Sequence, residues 1–278
     1  MMKDTPNTFY GFPELIKHSD TLWVQERSQL ENEGYFILEN VIEPDVLKEA
    51  SKRLYEVYRT QISEIGGIEN LSKINEENTI RLPFLYDDFF LQFFSNNAIL
   101  DMLKAVYCNE FILLTQSGLI NEPQKAHVGS NWHKDLPYQH YASAQPICIN
   151  ILCAITDFSP LTGSTCFIKG SHKYTGIPDN DTIEQNAIQI TAPAGSVVVF
   201  NSMLLHRMGH NRSDGSRLAL NHMFGTPIFK QHANFDKMSE GRYADDEVLR
   251  KLLDYPYAVP DSVISYRENK LKSQNSND

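Results

Sequence analysis

The hydrophobic period of this chain changes once, near Phe111, and that change restricts the available folds more than any other feature. From Phe111 onward apolar residues come in short β-rich runs: "FILLTQSGLI", "PICINILCAITDF", "STCFIKG", "AIQITAP", "GSVVVFNS", "LLHRMGH" and "RLALNHMF". Gly, Pro, Asn and Asp separate them, as turns between strands require. About eight strands in succession, preceded by helices, predict a mainly β fold. Its core is a double-stranded β-helix, a cupin-like jelly roll, with helices flanking one face.

The part before Phe111 carries helical spacing. "SDTLWVQERSQLENEGY" opens on Ser19 as a cap and stops at Gly34. "GYFILENVI" reads as a short strand, and Pro44 opens a second helix in which Val46, Leu47, Ala50, Leu54, Val57 and Tyr58 share a face. "SNNAILDMLKAVY" is a third helix, and the polar "IGGIENLSKINEEN" between them reads as a loop. At 278 residues and 41% hydrophobic content the chain suits one domain, 1–278. Within it a helical part of about 1–110 buttresses a jelly-roll core of about 111–225. A polar tail of about 266–278 is expected to be disordered.

The net charge of −10, with no Lys/Arg-rich run, argues against nucleic acid or an anionic membrane as partner. The N-terminal stretch lacks the apolar core of a signal peptide, and no run approaches the length of a membrane span. Cys108, Cys148, Cys153 and Cys166 lack CxxC spacing and lie among apolar residues, as reduced buried thiols in a cytoplasmic protein do.

The densest chemistry is in "NWHKDLPYQH", residues 131–140. If 131–135 is extended, His133 and Asp135 fall on one face and can offer two adjacent ligands to one metal ion. An isolated HxD reads first as a surface hydrogen-bonded pair, so a third ligand decides the matter. His206, in a β-type apolar run, is far enough along the chain for several strands to return it to the same end of a jelly roll. Alone, it reads equally well as a hydrogen-bonded core histidine. Two histidines and a carboxylate together make the facial triad of non-haem Fe(II) oxygenases. Arg217 alternates with Ala219, Asn221 and Met223 on one face of its strand. Buried, it would need an anion, whereas on the surface it would be an ordinary ion-pair partner.

HxD at 133–135, "GSH" at 170–172 after "LTGSTCFIK", and H-x4-N-x-S-x3-R over 206–217 together resemble the phytanoyl-CoA dioxygenase family. These are Fe(II)- and 2-oxoglutarate-dependent oxygenases with a double-stranded β-helix core. The resemblance spans roughly 20–225, including "GYFILENVIEPDVL". By position it implies that His133, Asp135 and His206 bind iron and that Arg217 binds the distal carboxylate of 2-oxoglutarate. Arg81, Gln116 and Ser213 are further cosubstrate candidates, and Asn211 matches a family asparagine in the loop after the distal histidine. Met208 departs from the family, where many members carry a small hydroxyl residue.

The implied reaction uses Fe(II), 2-oxoglutarate and O2, releases succinate and CO2, and hydroxylates or otherwise oxidises a small-molecule metabolite or natural-product intermediate. Retention of Asp135 favours hydroxylation over halogenation. Tyr138, Gln139, His140, Asn150, Arg207 and Asn221 are candidates to line the substrate pocket. Two other readings stay open: a metal-dependent hydrolase, since His and Asp also bind zinc, and a non-catalytic jelly-roll binding protein. Oligomeric state is not legible.

Overall fold

The computed structural model describes residues 23–107, 110–125, 128–136, 142, 146–176, 178–255, 259–260 and 262–275. Ten α-helices are present among them: α1 (Val24–Asn32), α2 (Pro44–Glu64), α3 (Ile68–Lys73), α4 (Pro83–Tyr86), α5 (Gln92–Ser95), α6 (Asn97–Tyr107), α7 (Asn180–Asn186), α8 (Phe235–Met238), α9 (Glu247–Leu252) and α10 (Val263–Asn275). None is long and apolar enough to cross a membrane. The strands are β1 (Tyr35–Leu38), β2 (Thr79–Arg81), β3 (Ile112–Asn121), β4 (Cys148–Ala154), β5 (Thr165–Ile168), β6 (Ala187–Gln189), β7 (Val197–Asn201), β8 (His206–Met208) and β9 (Arg217–Gly225).

The strands form two sheets, a larger one in the order β1-β7-β4-β9-β3-β2 and a smaller one in the order β6-β5-β8. Every ladder pairing is antiparallel. Each apolar run predicted after Phe111 contains one strand. β4 and β7 are buried at every position, because helices cover one face of the larger sheet and the smaller sheet covers the other. On the helical side Ile149, Ile151, Val197, Val199, Leu218, Leu220 and Phe224 pack with Leu47, Ala50, Leu54, Phe84, Phe90 and Phe94. Between the sheets Leu152, Ala154, Val198, Phe200 and Ala219 meet Phe158, Phe167 and Ile190. This double burial is why these strands read as continuous apolar runs rather than alternating ones.

Pro44 stands in the first turn of α2, where its missing N–H forfeits no intrahelical bond. Gly34 ends the first helical segment at φ +90°, and a Cβ there would lie 2.6 Å from both His172 Nδ1 and Leu204 Cδ1. His172 in turn approaches Glu31 O through Nε2 at 3.0 Å, and Ser171 Oγ accepts from Leu205 N at 2.8 Å, so the "GSH" motif ties a helix end to the residue before His206.

Two local expectations differ, and two stretches for which none was formed take regular structure. Residues 68–73 form α3 where a loop was expected: Leu71 is buried, and Asn70 Nδ2 donates to Ile65 O at the end of α2. A six-residue helix is too short to show a period. Residues 83–95 fold into α4, a single 3₁₀ turn (Asp88–Leu91) and α5, whose phenylalanines fill the helical-side core. Strand β2 has only three residues and no alternation to read. The expected disordered tail at 266–278 is instead occupied by α10 up to Asn275, begun by Ser262 Oγ accepting from Ser265 N at 3.0 Å. A polar composition does not exclude a helix, since Glu, Lys, Arg and Gln have good helix propensity. Ser19 and Cys108 lie outside the described residues.

Candidate metal centre

The segment around His133 is extended, as expected, and adds one residue pair to the smaller sheet. His133 and His206 face each other across an antiparallel bridge, each N–H donating to the other's carbonyl at 3.0 Å. Asp135 N then donates to Ser202 O at 3.0 Å, and Leu136 anchors the next position in a buried cluster with Cys148, Met203 and Met223. The two-residue alternation places His133 and Asp135 on one face. Trp132 packs beneath the Arg207 guanidinium at 4.8 Å.

The three side chains converge. His206 Nε2 lies 3.5 Å and His133 Nε2 4.0 Å from Asp135 Oδ1, and the three ligand atoms fall within 4.8 Å of one another. Both imidazoles direct Nδ1 at a backbone carbonyl two residues earlier, His133 at Asn131 O and His206 at Leu204 O, each at 2.8 Å. Donation from Nδ1 leaves the Nε2 lone pair for a metal, so the rings are held in the tautomer that ligation needs. His206 is wedged beside Phe200, with ring centroids 5.0 Å apart, and its side chain is 10% exposed. That of His133 is 39% exposed, which leaves the approach to the ligands open on its side.

The electrostatics agree with an ion-binding cluster. Burial alone would raise Asp135, but the charge and hydrogen bond of His206, with His133 and Asn150, hold its carboxyl below the usual value. Burial would lower His206, yet Asp135 outweighs it and raises that imidazole. His133 is lowered, first by burial and then by the charge of His206.

Asp135 is itself held in place. Asn150 Nδ2 donates to Asp135 Oδ2 at 2.6 Å and to Ser202 Oγ at 2.8 Å, and Asn150 Oδ1 accepts from Asn221 Nδ2 at 3.1 Å. With Oδ2 occupied, Oδ1 is presented to the two imidazoles. Asn150 and Asn221 were expected as substrate contacts. Both line the cavity, but their hydrogen bonds are those of a chain that orients the carboxylate.

The cavity over these ligands measures about 590 Å³ and includes Arg217, Arg81, Arg207, Met208 and Met223 in its wall. Arg217 is 2% exposed, its Nε has no partner, and its guanidinium carbon lies 4.7 Å from the Phe158 ring centroid. Burial lowers its pKa to about 10. No ion pair joins it to a carboxylate among the described residues, so the surface ion-pair reading does not hold. The turns beside it are tied by Asn211, which donates to Asn121 O and Gly215 O at 2.8 Å. At Gly163, φ +68°, a Cβ would meet Gly209 O and Asn211 N at 2.6 Å.

Two cosubstrate candidates are displaced by the structure. Gln116 points to the helical side, where Oε1 accepts from Phe84 N at 2.9 Å and Nε2 meets Phe90 O and His222 Nε2. Its neighbours Thr115 and Ser117 take the cavity face, since alternate residues on a strand face opposite ways. Ser213 belongs to the turn, its hydroxyl donating to Asn211 Oδ1 at 2.6 Å and to Gly215 O at 3.0 Å. Asn211 is therefore structural. Arg81 does line the cavity, paired with Glu76. Tyr138, Gln139 and His140 lie outside the described residues, and Cys148, Cys153 and Cys166 are buried free thiols.

His232 in the cavity wall was not foreseen. The β3–β9 register skips Leu114, a bulge that frees its carbonyl to accept from His232 N at 3.1 Å. Gln231 Nε2 donates to Leu113 O at 2.8 Å beside it. Bulges re-aim side chains near functional sites, and no short sequence pattern announces this one.

The sequence profile of the phytanoyl-CoA dioxygenase (PhyH) family matches residues 30–219. The uncharacterized proteins Mb1539 of Mycobacterium bovis and Rv1501 of Mycobacterium tuberculosis are each 33% identical over 207 residues, 73% of this chain and 75% of theirs. The structure of EctD from S. alaskensis with 2-oxoglutarate and 5-hydroxyectoine superposes at TM-score 0.60 and 15% identity, covering 74% of this chain and 76% of that one. The alpha-ketoglutarate-dependent epimerase SnoN from nogalamycin biosynthesis superposes at TM-score 0.55 and 15% identity, covering 73% of this chain and 82% of that one. At that identity the two structures establish the shared fold.

Proposed function

The chain belongs to the phytanoyl-CoA dioxygenase family of Fe(II)- and 2-oxoglutarate-dependent oxygenases, and from that premise we propose that it hydroxylates a small-molecule metabolite or natural-product intermediate at the His133–Asp135–His206 centre. The observation that carries this reading is the placing of three convergent ligand atoms and a buried guanidinium, its Nε without a partner, in one cavity. A hydrolytic zinc site has use for the first and none for the second. Two imidazole nitrogens and one carboxylate oxygen, with Nδ1 positions already committed to carbonyls, suit Fe(II) and leave coordination positions for other ligands.

When bound, Fe(II) with 2-oxoglutarate and O2 supplies the oxidising chemistry, releasing succinate and CO2. The residues do the rest. His133, Asp135 and His206 hold the metal, and Asn150, with Ser202 and Asn221 behind it, fixes which Asp135 oxygen faces inward. Arg217 receives the distal carboxylate of 2-oxoglutarate, a dianion that satisfies a charge otherwise stranded among Phe158 and the strands. Leu152, Phe200 and Met223 add apolar wall to the same cavity.

We place the helical part and the jelly roll in a single functional unit acting in the cytoplasm, a reading supported by the shared helical-side core and the three reduced thiols. EctD holds 2-oxoglutarate and 5-hydroxyectoine and SnoN is an alpha-ketoglutarate-dependent epimerase, so both outcomes are compatible with this fold. Retention of Asp135 favours hydroxylation over halogenation. The test is succinate formation from 2-oxoglutarate with Fe(II) and ascorbate. Wild-type activity lost in His206→Ala supports the reading, and no metal-dependent turnover refutes it.

A further inference from the structure

The smaller sheet turns one hydroxyl into the cavity that neither the metal ligands nor the packing uses. Thr165 opens β5, lines the cavity and is 6% exposed. Its side chain makes no hydrogen bond among the described residues. Its backbone is secured: Thr165 O accepts from Ile190 N at 3.1 Å, and the β5–β8 register sets Thr165 against Met208 and Phe167 against His206. Paired residues of an antiparallel ladder share a face, and alternate residues return to it. Thr165 and Met208 therefore stand on the face that carries His206, about 7 Å along the strands from it.

That step along the strands runs toward Arg217. Gly209 follows Met208, and Gly163 stands two residues before Thr165; their carbonyls accept from Asn121 Nδ2 at 3.0 and 2.9 Å. Asn121 is the partner of Arg217 in the β3–β9 ladder. The Thr165–Met208 pair thus lies between the metal ligands and the sheet end that Arg217 occupies. Of the pair only Thr165 can donate, since a thioether carries no proton. The other hydroxyls toward that end are committed or distant. Ser213 Oγ serves its turn, and Ser164 Oγ donates to Ile190 O at 2.6 Å. Thr79 is on β2, two strands from β9 and so about 10 Å away. The Arg217 fork satisfies at most two of the about four lone-pair sites on a carboxylate. In a buried cavity the remaining sites need a donor of their own, because an oxyanion stripped of water and left unpaired is costly. A buried hydroxyl without a partner meets that need and is satisfied by it.

We propose that Thr165 is a cosubstrate-binding residue, its hydroxyl donating to the distal carboxylate of 2-oxoglutarate beside Arg217. The donor comes from β5, across the ladder from Met208, and not from Ser213 in the turn. The assignment rests on the oxygenase reading of this cavity and is tested by binding, without turnover.

The test is calorimetric titration of the full-length, Mn(II)-loaded protein with 2-oxoglutarate and, in a separate arm, with oxalate, which chelates a metal and has no distal carboxylate. Thr165→Val keeps the shape and removes the hydroxyl. It should weaken 2-oxoglutarate by about ten-fold or more, as expected on losing a hydrogen bond to a charged group, and leave oxalate unchanged. Thr165→Ser should bind both as wild type does. Moving the hydroxyl across the ladder, in Thr165→Val/Met208→Ser, should recover part of the loss, which a packing role would not. Equal 2-oxoglutarate affinity in wild type and Thr165→Val, or 2-oxoglutarate and oxalate weakened alike, overturns the assignment while the oxygenase reading stands. Wild type that binds Mn(II) and oxalate but not 2-oxoglutarate overturns both. Should Thr165→Val not fold, Thr165→Ala is judged by the same outcomes.

Discussion

Replacing Arg217 by methionine should stabilise the protein in the absence of 2-oxoglutarate and abolish the stabilisation that 2-oxoglutarate brings. Arg217 is 2% exposed with Nε unpartnered, and burial lowers the guanidinium to about 10, well below the ordinary arginine value. One pH unit corresponds to ~1.4 kcal/mol, so the charged form bears a cost of about 3 kcal/mol in the free protein. Below its lowered pKa the group is charged in both the folded and unfolded chain, so this cost is constant across neutral pH. The contact with Phe158 returns about 0.5–2 kcal/mol, and Arg217→Met forfeits it. The net gain is about 1–2.5 kcal/mol, which for a chain of this size raises Tm by roughly 2–10 °C. Losing one partner of a desolvated charge pair costs about 2–5 kcal/mol, a weakening of 2-oxoglutarate by about thirty-fold or more. Thermal melts with and without 2-oxoglutarate, at fixed metal, check both parts. At a hundred-fold excess over the wild-type Kd, wild type should gain about 2.7 kcal/mol and the variant about 0.9 kcal/mol or less. A variant less stable than wild type and still stabilised by 2-oxoglutarate to the same extent would refute the assignment.

His133→Ala or His206→Ala should abolish Fe(II)-dependent 2-oxoglutarate consumption while leaving the circular dichroism spectrum unchanged; retained turnover in both removes the triad. Asn150→Ala should release Asp135 Oδ2 and weaken metal binding by about ten- to hundred-fold, measured by calorimetric metal titration. The same titration across a pH series tests the electrostatics. Burial lowers His206 but Asp135 raises it further, so its share of metal-free stability is full below 6.5 and fades as pH rises through the raised value. Asp135 is lowered despite burial, chiefly by His206, so its share is present above 3.8 and fades as pH falls through the lowered value. Metal needs His206 neutral, hence affinity should fall by about ten-fold per pH unit once pH drops below the raised His206 value, with one proton released per metal.

The triad could be named before any coordinates because each member sits in a signal that survives without tertiary context. HxD is short enough for strand alternation alone to put both groups on one face, and His206 and Arg217 lie in runs whose β character is plain. What alternation could not supply is which face is the cavity. Gln116 and Ser117 are neighbours on β3, and only the layer that each meets makes one a core group bonded to Phe84, Phe90 and His222 and the other a cavity wall. Ser213 fell with the same ambiguity in a turn.

The sequence by itself determined the two-sheet architecture, since hydrophobic period and turn residues are local properties written into consecutive positions. It also determined the metal-binding chemistry, because ligand types and strand spacing need no partner to be recognised. Tertiary structure alone decided the rest. His232 enters the cavity through a bulge in a different strand, and Asn150 becomes the brace of Asp135 through the packing of β4 against the bridged segment. Arg217 becomes an unpaired charge only because Phe158 and the flanking turns close around it. These contacts join residues distant in sequence, and hydrogen-bond direction and burial exist only once the sheets have brought those residues together.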